Sequence, residues 1–138
     1  MNYNPVRIVQ MLRTHNCGQL TSKNVGAQVT LAGWVNRRRD HGGLVFIDLR
    51  DRYGLVQVVF NPEISAQVHE VATGLRNEYV VTVSGEVEKR PPGTENPKLP
   101  TGEVELVAQD VEILNASKTP PFNVNEDVEV EEFKVSLS

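Results

Sequence analysis

The chain has 138 residues, 39% of them hydrophobic and 23% charged, with a formal net charge of −4. That length suits one domain with a sizeable core, and the composition excludes an intrinsically disordered chain. A lone cysteine, Cys17, excludes an internal disulfide and fits a reducing, cytoplasmic setting; with no ligand-spaced partners it reads as a half-buried structural thiol rather than a zinc ligand.

No apolar run approaches the roughly 18 residues of a membrane helix, and MNYNPVRIVQMLRTHN lacks the pattern of a secretory signal. The negative charge is unevenly spread. Residues 126–132 (EDVEVEE) hold five acids, and without the segment from 126 onward the chain carries 13 acids and 13 bases. Within that neutral body Arg37, Arg38, Arg39, Arg50 and Arg52 form a local basic stripe, which matters more than overall charge for attracting a nucleic acid.

Residues 1–13 read as an N-terminal lead-in, with a turn at Asn24–Gly26 before the first strand. Val29, Leu31, Gly33 and Val35 then share one strand face, with Thr30, Ala32 and Trp34 on the other. Asp40–Gly43 closes a hairpin. A second strand over Leu44–Arg50 turns Val45, Ile47 and Leu49 one way and Phe46 and Asp48 the other. After Asp51–Gly54, a third strand over Leu55–Phe60 directs Val56, Val58 and Phe60 inward and Gln57 outward. Pro62 ends it, since proline cannot donate to a ladder.

Ile64, Val68, Val71 and Leu75 recur at helical spacing, which predicts an amphipathic helix over Glu63–Leu75. A fourth strand follows over Tyr79–Val87, then a loop over Lys89–Gly102 with four prolines. The last strand spans Glu103–Leu114, with a bulge near Ala108–Asp110. Residues 14–118 thus form the domain, and 119–138 an acidic linker or tail. Three strands, a helix and two strands is the order of an all-β, five-stranded OB-fold Greek-key barrel, with the helix between strands three and four. An SH3-like barrel lacks that helix, and an immunoglobulin sandwich needs about seven strands.

OB folds bind oligonucleotides across strands two and three, between the first hairpin loop and the loop joining strands four and five. Phe46 lies at the middle of that face, where an aromatic ring can stack on an unpaired base; the alternative is a ring covered by the lead-in or a partner subunit. The Gln57 amide can both donate to and accept from a base edge, or be an ordinary solvated strand residue. Alternation sends Arg37 and Arg39 to one face and Arg38 to the other, with planar donor forks suited to phosphates and base edges; the alternative is a solvated loop paired with Asp40. Trp34 reads as packing. Asp48 and Asp51 read as salt-bridging partners of Arg50 and Arg52. With no phosphate loop, nucleophile elbow or metal-spaced histidines, the chain reads as a binder rather than a catalyst.

The run GWVNRRRDHGGLVFIDLRDRYGLVQVVF (Gly33–Phe60) resembles the N-terminal domain of bacterial aspartate–tRNA ligases. THNCGQL at Thr14–Leu20, LRNEYVV at Leu75–Val81 and NPKLPTGEVEL at Asn96–Leu106 extend the likeness. The resemblance implies recognition of a transfer-RNA anticodon stem-loop. Phe46 matches the aromatic on the central uridine and Gln57 its hydrogen-bonding neighbour. Arg37 and Arg39 match arginines that meet bases and backbone, and Glu103 matches a carboxylate reading the first anticodon base; Arg90 and Asn96 are further loop candidates. His41 stands where many members have leucine, similar to enzymes that also accept asparagine transfer RNA. The family continues into a class II catalytic domain, commonly in a homodimer, that binds ATP, magnesium and aspartate. None of its motifs occurs in these 138 residues, so the resemblance implies no cofactor here. A general single-strand binder and a protein-interaction domain stand as the other readings.

Overall fold

The computed structural model describes residues 13–115. Most of the expected lead-in and all of the expected acidic tail lie outside the described residues. Five strands, β1 (Gln28–His41), β2 (Leu44–Asp51), β3 (Gly54–Phe60), β4 (Val80–Lys89) and β5 (Val104–Asn115), close a barrel in the order β1-β2-β3-β5-β4, with a helix, α1 (Ala66–Thr73), between β3 and β4. This is the expected OB topology. β3 and β5 pair in parallel and every other neighbour is antiparallel.

β1 closes the barrel because it serves two partners. Gln28–Trp34 pair with β4, and Trp34–His41 pair with β2, so Trp34 is shared. The strand can bend there because residue 33 is glycine. A Cβ on Gly33 would lie 2.2 Å from the Arg50 carbonyl oxygen, so a side chain would separate β1 from β2. Trp34 packs with Ala32, Val80 and Leu114 in a small cluster of its own, as its packing role predicts.

The alternation holds through the core. Val29, Leu31 and Val35 meet Ile47 and Leu49, Val56 and Val58, and Val81 and Val83, all essentially excluded from solvent. Burying each such side chain contributes about 1.5–3 kcal/mol, which makes the interior the main source of stability. Cys17 is fully buried rather than half-buried, and burial first, then Asp51, pushes its thiol pKa well up, so it has little thiolate character.

The helix is shorter than periodicity predicts. The Ser65 side chain accepts from the Val68 N–H at 3.2 Å and caps the N-terminus, leaving Ile64 in the preceding turn, exposed. The buried stripe is therefore Val68, Ala72 and Leu75, and Val71 is partly exposed. The predicted bulge in β5 is present. Gly85 pairs with Ala108 and Ser84 with Asp110, which leaves Gln109 as the extra residue.

Candidate nucleic-acid interface

Strict alternation from Val35 would send Arg37 and Arg39 into the core. A bulge prevents this. Val35 pairs with Leu49 and Arg37 with Asp48, so Asn36 is the inserted residue and the pleat changes phase. Arg37 and Arg39 consequently stand opposite Asp48 and Phe46 on the outer face, and Arg38 opposite the core residue Ile47. The three arginines lie on β1 itself, not in a loop. The loop is only Gly42–Gly43, whose φ values of 59° and 83° fit the two positive-φ positions of a type I′ hairpin turn.

Arg38 is structural. It donates to the carbonyls of Thr73 and Leu75 at the end of α1 and to Asp40 Oδ2 at 2.9 Å. A cation there satisfies carbonyls that the helix leaves without partners and complements its dipole.

Arg37, Arg39, His41, Phe46, Asp48 and Gln57 line a depression of about 400 Å³ with Arg90, Thr94, Asn96 and Leu99 of the β4–β5 loop. Phe46 is half-buried at its wall, not sealed in the core, and the Arg39 guanidinium carbon lies 5.5 Å from the centre of its ring. Arg39 Nη2 also donates to Gln57 Oε1 at 2.9 Å, and Gln57 Nε2 donates to Glu105 Oε1 at 2.9 Å. Gln57 is only 6% exposed, which overturns the solvated-strand reading. Its amide joins a guanidinium to a carboxylate and fixes which way each points.

Glu105 comes from the parallel pairing of β5 with β3, which sets it beside Gln57. Burial raises its pKa, opposed by the Gln57 hydrogen bond and the charge of Arg90. Arg90 is itself buried, which lowers its pKa, while Glu105 pulls the other way. Its Nε donates to the Val104 carbonyl at 3.1 Å and its Nη1 to that of Thr94 at 3.2 Å, so it shapes the loop. Asn96 lines the depression, but its Oδ1 accepts from the Lys98 N–H in a local turn. A Cβ on Gly102 would lie 1.7 Å from the Asn96 carbonyl oxygen, so the loop folds over that glycine.

Glu103 is different. It is exposed, does not line the depression, and contributes its backbone carbonyl to the Arg90 N–H. Asp48 is the carboxylate that lines the depression, and Glu105, which sequence reasoning missed, joins the site through its hydrogen bond from Gln57. Asp48 and Asp51 also have other partners than expected: Asp48 pairs with Arg39 at 3.8 Å, and Asp51 with Arg13 at 3.7 Å. Among the described residues no cluster of His, Cys, Asp and Glu could hold a metal ion.

Residues 29–114 match the tRNA anticodon family model, described as an OB-fold nucleic acid binding domain. The chain belongs to this family. It is 62% identical over 122 residues to the aspartate–tRNA(Asp/Asn) ligase of Dehalococcoides mccartyi strain CBDB1, covering 88% of this chain and 20% of the relative. Over 120 residues it is 58% identical to the ligase of that name from Moorella thermoacetica, covering 87% and 20%. Among solved structures, the asparaginyl-tRNA synthetase of Pyrococcus horikoshii superposes with a TM-score of 0.66 at 27% identity, covering 89% of this chain and 28% of that one. The chain spans about one fifth of the length of the curated relatives it matches. For an OB-fold nucleic acid binding domain, the depression on the outer β2–β3 face is where an oligonucleotide is expected to lie.

Proposed function

We propose that the chain reads the anticodon of aspartate transfer RNA as the N-terminal domain of an aspartate–tRNA ligase. The observation that carries this reading is the Phe46 ring with the Arg39 guanidinium over it, facing a depression rather than the core. An unstacked base gains about 1–3 kcal/mol from such a ring. Gln57 and Arg39 supply base-edge donors beside it, held by their hydrogen bonds to each other and to Glu105. Arg37 meets the backbone. Glu105, rather than Glu103, accepts from the edge of the first anticodon base, a guanine or its modified form. Arg90 and Asn96 shape the loop that closes over the strand.

His41 lines the same depression, and the names of the relatives carry both Asp and Asn. The domain is therefore expected to accept the asparagine anticodon as well. In the whole protein, ATP, magnesium, aspartate and a homodimer interface belong to the length beyond this domain, and the site of action is the cytoplasm.

Titrating the chain with an aspartate anticodon stem-loop and with a scrambled loop tests the reading, with at least about tenfold preference for the anticodon expected. Equal affinity would favour a general single-strand binder. An aspartate over asparagine preference beyond about thirtyfold would sink the role given to His41.

A further inference from the structure

The aromatic–guanidinium device at Phe46 has a counterpart at the other end of β2. Tyr53, in the β2–β3 turn, is 51% exposed, and two guanidinium carbons lie over its ring, that of Arg13 at 5.0 Å and that of Arg52 at 5.5 Å from the centre. Phe46 and Tyr53 are seven residues apart, roughly 20 Å at about 3.3 Å per residue. The stretch between them carries exposed Arg50, on the same outer face as Phe46 because β2 and β3 pair without a register shift.

The turn is rigidly held. Asp51 Oδ1 accepts the N–H groups of Tyr53 at 2.8 Å and Gly54 at 3.1 Å, and its Oδ2 accepts that of Cys17 at 2.8 Å. Gly18 and Gly54 pack backbone to backbone, so that a Cβ on Gly18 would lie 2.2 Å from the Tyr53 carbonyl oxygen. Asp51 is thus engaged by three backbone donors besides Arg13, and Arg52 stands over the ring on the same turn.

We propose that Arg13, Arg52 and Tyr53 form a second RNA subsite, a clamp for backbone phosphates of nucleotides flanking those read at Phe46. The inference rests on the anticodon reading above. Phosphate rather than a base is the ligand because two guanidiniums already stack on this ring. The ring holds them in place, which lowers the entropy lost when their planar donor forks meet a phosphate. Arg50, on the outer face between the depression and the turn, gives one strand of RNA a further cation along that path, past Asp48, which pairs with Arg39 at 3.8 Å.

The test compares two RNAs, the anticodon stem-loop and a trinucleotide of the anticodon alone. Combining Arg52→Gln with Tyr53→Ala is expected to weaken stem-loop binding about five- to thirtyfold and to reduce the salt slope by about one, the effect of losing one phosphate contact. Trinucleotide binding and the thermal midpoint should stay at wild-type values, and Tyr53→Phe should bind like wild type. Stem-loop affinity within twofold of wild type, with an unchanged salt slope, would overturn the clamp, as would equal losses for both RNAs. If Phe46→Ala weakens both RNAs while the turn variant weakens neither, the anticodon reading stands and the clamp falls. If the wild-type chain binds neither RNA, both fall.

Discussion

On the outside of β1, β2 and β3 the pleat presents Arg37, Arg39, Phe46 and Gln57, whereas on the outside of β4 and β5 it presents Glu86, Glu88, Asp110 and Glu112. Both walls share one core and one alternation rule, yet their chemistry is opposite. On the acidic wall the Glu88 carboxyl is held above its ordinary pKa, chiefly by a hydrogen bond with Glu86 and then by burial. On the basic wall, guanidiniums are stacked on rings or bonded to Gln57. The difference shows how a chain with net charge −4 can still attract RNA. At physiological salt, charge is screened beyond about 8 Å, so a polyanion approaching the arginines responds mainly to those arginines and to the acids among them, Asp48 and Glu105, the latter being where the two walls meet.

The largest effect expected from breaking this asymmetry is at Arg39. Arg39→Glu removes the cation on Phe46 and the donor to Gln57, and adds a carboxylate near Asp48 and Glu105. Stem-loop affinity should fall at least about a hundredfold by fluorescence anisotropy, because a charge-assisted hydrogen bond and a cation–π interaction are replaced by repulsion of the RNA. A loss under threefold would mean that the basic wall is not where RNA binds. Phe46→Ala comes next, with about five- to hundredfold weaker binding from the lost stacking and an intact barrel by circular dichroism. Unchanged affinity would remove the ring from the site.

Gly102→Ala should cost about 1–3 kcal/mol in urea unfolding, because the new methyl group must displace the Asn96 carbonyl, and it should weaken binding through the loop. A variant as stable as wild type would show that the loop yields freely.

Glu105 gives a pH-dependent comparison. Its folded pKa lies above the ordinary 4.5, chiefly through burial, so the fold favours the protonated form. The stability this adds is fully present below about pH 4.5 and is lost as pH rises through the raised value. Glu105→Gln stays neutral throughout, so the stability difference between variant and wild type should move in the variant's favour from pH 4.5 toward pH 7. Movement the other way would show that Arg90 and Gln57 outweigh burial. The smallest effect is expected on the acidic wall: Glu112→Lys should change RNA affinity by less than about twofold at physiological salt.

Much of the fold is legible in the sequence because its signals are local. Val45, Ile47 and Leu49 against Phe46 and Asp48 reveal one strand by period alone, and the broken period in residues 104–113 reveals the bulge at Gln109. The helix start is not legible in the same way, because Ile64 fits the apolar stripe and only the Ser65 cap separates it from α1. At the site, the grouping of Arg37 with Arg39 is correct, but the face they occupy depends on a bulge at Asn36 that their sequence does not mark. The burial of Gln57 and its hydrogen bond to Glu105 both follow from β3 lying beside β5, a pairing between residues 48 positions apart. Such contacts leave no periodic trace.

Because the strands form a closed ring, β2 has a neighbour on each side over Val45–Arg50, and its backbone N–H and C=O groups are committed to the barrel. A ligand therefore cannot be captured there by adding a strand to an open edge. It must be recognised by the side chains that project from the wall. Exchanging those outward residues can then retune what is bound while the interior valines and leucines, facing the other way, keep the scaffold unchanged.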